Sequence, residues 1–292
     1  MALLLCLSLL LVGMPVQAVN VHFSSDVTSL PAGCSIISPN NYVCTSLTLA
    51  AGDTLTIGAT NAPVTIRIVG ALTAGADSHI NATGQVADLT ILVDAAAELG
   101  ARVIVNANIV GAAAVTFGAS SIVGGSISTG IGAITLGEFS VVSGSITTDI
   151  GGLTLGASSQ VAGAVTSDTG VITLGASSTV TGNVSTNTGA ITFGAFGKIV
   201  GNISSTTGVV TMGASSIADG NITTDSGAIT FGASSIINGS VNNTSGVITL
   251  GASSFVSCSV TSDSGAVTLG ASTIVGGDVS SPNGSVTLGA DV

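Results

Sequence analysis

The sequence predicts an all-β protein, a parallel β-solenoid with coils of 19 residues and about three short strands per coil. Three observations lead there. A glycine following Leu, Phe or Met recurs at an unbroken 19-residue step from Gly118 to Gly289, and a fixed period of this size marks a stacked repeat. Two further glycine columns stand 7 and 14 residues after that anchor, which predicts three corners per coil where the chain turns tightly or takes φ above zero. Between the corners, apolar and polar residues alternate and β-branched types dominate, which favours strands over helix.

Counting from the anchor glycine, positions 16 and 18 hold apolar pairs such as Ile172/Leu174 and Ile191/Phe193. Position 5 is Val, Ile or Ala, and position 9 is always Val or Ile. These four columns are expected to point inward. Positions 8, 10 and 11 hold Ser, Thr, Asn, Ala or Asp and are expected to face water. Each strand should then pair in parallel with its counterpart one coil away, at about 4.8 Å.

The chain divides into four parts. Residues 3–12 form an apolar run, followed by Gly13, Pro15 and the small-residue end Val16-Gln17-Ala18, so 1–18 reads as a signal peptide. No Lys or Arg precedes that run, and an uncleaved segment would be the chain's one membrane contact. Residues 19–46 are expected to cap the solenoid, since an open end exposes apolar side chains and strand edges. Residues 47–117 read as irregular coils, and 118–292 as regular ones. No comparable cap follows the last coil, whose inward Val275, Val279, Val286 and Leu288 are expected to stack on a second copy or meet another surface protein.

Export implies an oxidising compartment, whether periplasm, cell surface or medium, so Cys34 and Cys44 are expected to form a disulfide. Cys258 replaces a corner glycine and is expected to tuck inward, as free cysteine commonly does.

Composition narrows the function. Only 6% of residues are charged, and the formal charge is −11 with three basic residues, Arg67, Arg102 and Lys198. That leaves no footprint for nucleic acid or anionic lipid. Polysaccharide cleavage requires two carboxylates, or a carboxylate with a cation, in one groove. The regular coils offer one Lys and no His. His22 and His79 lie outside them and read as ordinary surface residues. No nucleotide, zinc or serine-nucleophile pattern occurs, so catalysis, cofactor, metal and small-molecule substrate are not expected. Asp149, Asp168, Asp225 and Asp263 share position 12, where a Ca²⁺ site competes with the favoured reading, an aspartate bonding its own turn. Sequons at Asn183, Asn202, Asn221 and Asn238 follow from the repeat columns themselves.

One column suggests a surface function. Position 17 is threonine in every full coil, at Thr135, Thr154, Thr173, Thr192, Thr211, Thr230, Thr249, Thr268 and Thr287. Such a ladder of hydroxyls and methyls is a candidate ligand or ice-binding face. Threonine also suits an outward strand position, with hydroxyls bonded along the ladder.

The units Thr188-Gly-Ala-Ile-Thr-Phe-Gly-Ala and Gly182-Asn-Val-Ser-Thr resemble the N-terminal repeat region of MshQ-type exported proteins, associated with MSHA pilus biogenesis. The cap sequence from Pro31-Ala-Gly-Cys-Ser through Tyr42-Val-Cys44 into Leu47-Thr-Leu-Ala-Ala-Gly-Asp-Thr-Leu extends the likeness. A looser similarity is to bactofilins, the polymer-forming β-solenoids of bacteria. The long C-terminal region usual in MshQ-type proteins is not found here. The resemblance implies an exported, non-catalytic structural or adhesive protein of the bacterial surface. The alternative is an ice-binding protein that uses the threonine ladder.

Overall fold

A computed structural model describes residues 20–23, 30–58 and 63–292. The expected signal peptide lies outside the described residues, as does part of the expected cap. The described residues are all-β apart from one 3-10 turn at Val86–Asp88. The described strands form three sheets of 13, 14 and 13 strands, each built, beyond its N-terminal end, from every third strand in sequence order. All pairings are parallel save one, so the fold is a three-sided β-solenoid. The first sheet carries positions 4–5 of each coil, the second positions 9–11 and the third positions 16–18.

Strand register explains the 19-residue step. Thr173 faces Thr154 on one side and Thr192 on the other, so residues 19 apart meet along each column. The inward columns at positions 5, 9, 16 and 18 are buried as expected, forming one continuous core from Phe23 to Leu269. Branched aliphatics fill it because each coil gives every inward residue only one rung of height, about 4.8 Å.

Position 11 departs from expectation. Thr129, Thr148, Ser167, Thr186, Ser205, Thr224, Asn243 and Ser262 are buried, not exposed to water. They follow position 9 by two residues on one strand, so the pleat turns them inward as well. Their polar atoms bond the third corner. Ser167 Oγ accepts the Gly170 N–H at 2.8 Å and donates to the Gly151 carbonyl of the neighbouring coil at 3.3 Å. A matching inner column at position 3 runs through Ser121, Ser140, Ser159 and Ser178 to Thr273. Its hydroxyls donate to anchor-glycine carbonyls, as Ser178 does to Gly156 at 3.1 Å. Two hydroxyl ladders thus line the inside of two corners, and among the described residues no buried side-chain polar atom lacks a partner.

The corner glycines serve close approach, and none of the three columns takes positive φ. At Gly208 an added Cβ would fall well inside 3.0 Å of the Gly189 carbonyl oxygen. The left-handed turn falls instead two residues after the anchor, at Ser120, Phe139, Ser158, Ser177, Phe196 and their counterparts, with φ near 60° (58° at Phe139, 61° at Phe196).

The early coils keep the same three sheets despite their irregular length. Leu55 to Ile66 and Ile80 to Ile91 span eleven residues where Val123 to Ile127 spans four, so the extra chain loops out at the second corner. The third corner is one residue shorter, as in Val93 to Ala97 against Thr129 to Ile134. At the N-terminal end, β1 (Asn20–Phe23) adds to the first sheet. The second sheet ends in a hairpin of β2 (Cys34–Ser38) and β3 (Asn41–Cys44), the one antiparallel pair. The third sheet begins with β4 (Leu47–Leu49). Cys34 and Cys44 face each other across the hairpin and form a disulfide. Phe23 and Tyr42 meet edge to face behind it, with ring centroids 5.2 Å apart.

Candidate functional site

The threonine ladder stands on the outer face of the third sheet, and it is longer than the regular coils alone suggest. Register extends it to Thr48, Thr73 and Thr116, with Glu98 as the one interruption. Thr135, Thr154, Thr173, Thr192, Thr211, Thr230, Thr249, Thr268 and Thr287 then follow without a break. None of these hydroxyls bonds another protein group, so the expected bonding along the ladder is not made. Position 15, the outward neighbour, alternates between exposed Val171, Val209 and Val247 and the smaller Ala190, Ala228 and Ala266. Beyond Glu98 positions 15 and 17 carry no charge, and the face sets hydroxyls beside methyls at one-rung intervals.

The second sheet presents a different surface. At position 8, Asn183, Asn202 and Asn221 stand on successive coils, and each carboxamide oxygen accepts the backbone N–H of position 8 one coil on, at 2.8, 2.8 and 2.9 Å. Sequence reasoning placed this column in water without assigning it that bond. With Ser185, Ser204 and Thr223 these asparagines line a shallow polar cleft. On the first sheet, position 4 is mixed, with exposed Ile122, Ile236, Phe255 and Ile274 and, between them, Gln160, Thr179 and Lys198.

Among the described residues the charged side chains do not converge. Arg67 pairs with Asp94 at 2.9 Å, Arg102 with Asp77 at 2.6 Å and Lys198 with Asp219 at 3.4 Å, all at the surface. The hydrogen bond from Arg102 holds the Asp77 carboxyl below its ordinary range. Asp149, Asp168, Asp225 and Asp263 are exposed, and the turn bond expected of them belongs to the buried position 11 instead. A position-12 side chain points out of the strand plane toward solvent, whereas its neighbour points at the glycine N–H. Among the described residues no three of His, Cys, Asp and Glu are grouped to hold a metal ion. His22 Nδ1 lies 2.8 Å from Thr56 Oγ1, and a strand separates it from His79.

Cys258 is exposed, which corrects the expectation of burial. A Cβ in this corner column points along the stack at the adjacent coil, as the contacts of an added Cβ at Gly239 with Gly220 show. The thiol sits at the surface 3.6 Å from Ser257 Oγ.

These features define a class, a three-sided parallel β-solenoid with a long threonine ladder along one outer face. No protein-family model, curated protein or solved structure matches the chain.

Proposed function

We propose that this chain is a non-catalytic, exported scaffold of the bacterial cell surface that adheres through its flat faces and stacks with copies of itself or other surface proteins. The observation that supports this best is the arrangement of its polar groups. The basic side chains are each held by an aspartate, and the hydroxyls and amides stand in parallel rows with no convergent centre. Acid–base chemistry needs groups converging within hydrogen-bond reach of one reacting atom, whereas rows repeated every rung suit contact with an extended partner. The Cys34–Cys44 disulfide suits an oxidising compartment. Deletion of the gene in the producing cell, with labelled protein located by imaging, tests the reading. Reduced attachment and surface labelling are expected; unchanged attachment or cytoplasmic label rejects it.

Stacking draws on the strands Ile274–Val275, Val279–Ser280 and Val286–Leu288, which have a paired neighbour on one side only. Unpaired edges template further strands. Sedimentation of the described chain should show concentration-dependent association, lost when Val286 and Leu288 are replaced by Lys.

Ice binding is the second reading, and the unpartnered threonine hydroxyls favour it. A hydroxyl already bonded to its neighbour has less capacity to order water, and here every one on the ladder is available. Inhibition of ice recrystallisation by the wild type, abolished in Thr211→Lys, is the expected result. An inactive wild type removes this reading and leaves the scaffold standing.

A further inference from the structure

We infer that the cleft on the second sheet binds a neutral, extended polysaccharide chain, with Asn183, Asn202 and Asn221 supplying one amide donor per coil. This rests on the adhesive reading above and names the ligand class for one of its faces.

Each asparagine oxygen is used internally, accepting the N–H of position 8 on the next coil, from Asn202, Asn221 and Ser240 in turn. Serine does this equally well elsewhere. Ser126 Oγ accepts the Ser145 N–H at 3.1 Å, and Ser145 Oγ accepts the Ala164 N–H at 3.2 Å. The column therefore takes asparagine, serine or, at Ala164, no acceptor at all, and the solenoid is indifferent to the amide nitrogen. Three successive coils nevertheless carry asparagine, and those three line the cleft.

Fixing the oxygen also fixes the nitrogen. With Oδ1 turned to the backbone, each Nδ2 is turned away from it, and the three have no protein partner. They form a row of oriented donors about 4.8 Å apart. Beside them runs the hydroxyl row of Ser185, Ser204 and Thr223, able to donate or accept. An extended β-1,4-linked sugar chain advances by close to one rung per ring and offers hydroxyl and ether oxygens at that repeat. No charged residue lines the cleft, and the chain's formal charge is −11, so a polyanion would be repelled. A peptide would need a free strand edge to pair with, and these strands are paired on both sides.

The test uses the full chain with cellohexaose and chitohexaose as probes, an alginate oligomer as the charged control, and calorimetry or NMR titration as the readout. The key variant is Asn183→Ser/Asn202→Ser/Asn221→Ser, which keeps an acceptor at every rung and mimics the native Ser126 and Ser145. It should retain the wild-type circular dichroism and bind either neutral hexaose at least tenfold more weakly. Gln160→Ala, on the first sheet, should bind as the wild type does. If the triple variant loses its β spectrum, Asn202→Ser alone is measured, with at least a twofold loss expected. Absence of wild-type binding to both neutral probes, affinity untouched by the asparagine changes, or equal affinity for alginate would each overturn the inference. Attachment of cells carrying the triple variant separates the two levels: if it persists while gene deletion abolishes it, this inference falls and the scaffold reading remains.

Discussion

Gly208 and Gly197 are both buried corner residues, yet their surroundings ask for opposite things. Gly208 packs its Cα against the Gly189 carbonyl of the previous coil, with no room for a methyl group. Gly208→Ala should therefore force two coils apart and destabilise the protein by about 3 kcal/mol, as overpacking does. At Gly197 the nearest heavy atom to an added Cβ is the Gly194 oxygen at 3.3 Å, and the equivalent residues in the other regular coils are Ser or Thr. In Gly197→Ser the new hydroxyl would reach the Gly175 carbonyl, as Ser178 and Ser216 reach Gly156 and Gly194. Lower unfolded-state entropy and one added hydrogen bond should stabilise by about 1 kcal/mol. Chemical denaturation of the two variants checks the opposite signs. The Asp77–Arg102 pair gives a residue-scale pH effect. Because the folded carboxyl titrates below its ordinary range, its stabilisation is complete above that range and is lost as pH falls through the lowered value. The pair is fully exposed, so salt should erase the difference between wild type and Asp77→Asn, as thermal melts at high and low salt would show.

At the scale of the element, the N-terminal hairpin is the part of the molecule most unlike the rest. An antiparallel strand cannot continue a parallel stack, so β2 closes the second sheet where another coil would otherwise pair. Its bridge closes a loop of ten residues, and chain-entropy arguments give such a crosslink about 2–3 kcal/mol. Reduction, or Cys34→Ser/Cys44→Ser, should lower the unfolding free energy by that amount, and hydrogen exchange should quicken first in β2 and β3, because solenoid coils couple chiefly to their neighbours. A uniform loss of protection along the chain would contradict the capping role. The strands themselves show how far sequence pattern reaches. Thr173 between Ile172 and Leu174 is legible at once, since one polar residue separates two buried ones. Ser167 was not, because Ser, Thr and Asn fill inner position 11 and outer positions 8 and 10 alike. Alternation along Val165–Ser167 would have turned Ser167 inward, had composition not been read as exposure. Cys258 was misplaced for a related reason: the corner glycine it replaces was read as a turn residue, when the column is set by close approach between coils.

For the whole molecule, one rule explains most of the structure: each coil repeats the chemistry of the last, so three sides of the rod acquire three surfaces. The first is mixed and partly apolar, the second carries amides and hydroxyls, and the third is threonine beside alanine and valine. With 13 strands in the third sheet, the rod is about 58 Å long at about 4.8 Å per step. That regularity was legible from the glycine columns alone, and the irregular coils were legible as coils, but their register was not, because seven-residue excursions at the second corner hide it until strand pairing is seen.

The most direct test of the account removes one coil. Deleting residues 194–212, 19 residues from one anchor glycine to the next, should join equivalent corners and keep all columns in register. The account predicts an unchanged β-sheet spectrum, a cooperative melt, and a particle shorter by about 4.8 Å in small-angle scattering. Deleting 194–205, twelve residues, should instead throw inward columns outward and unfold the C-terminal coils. If the 19-residue deletion unfolds the protein, or if both deletions fold equally well, the stacking of equivalent coils is contradicted.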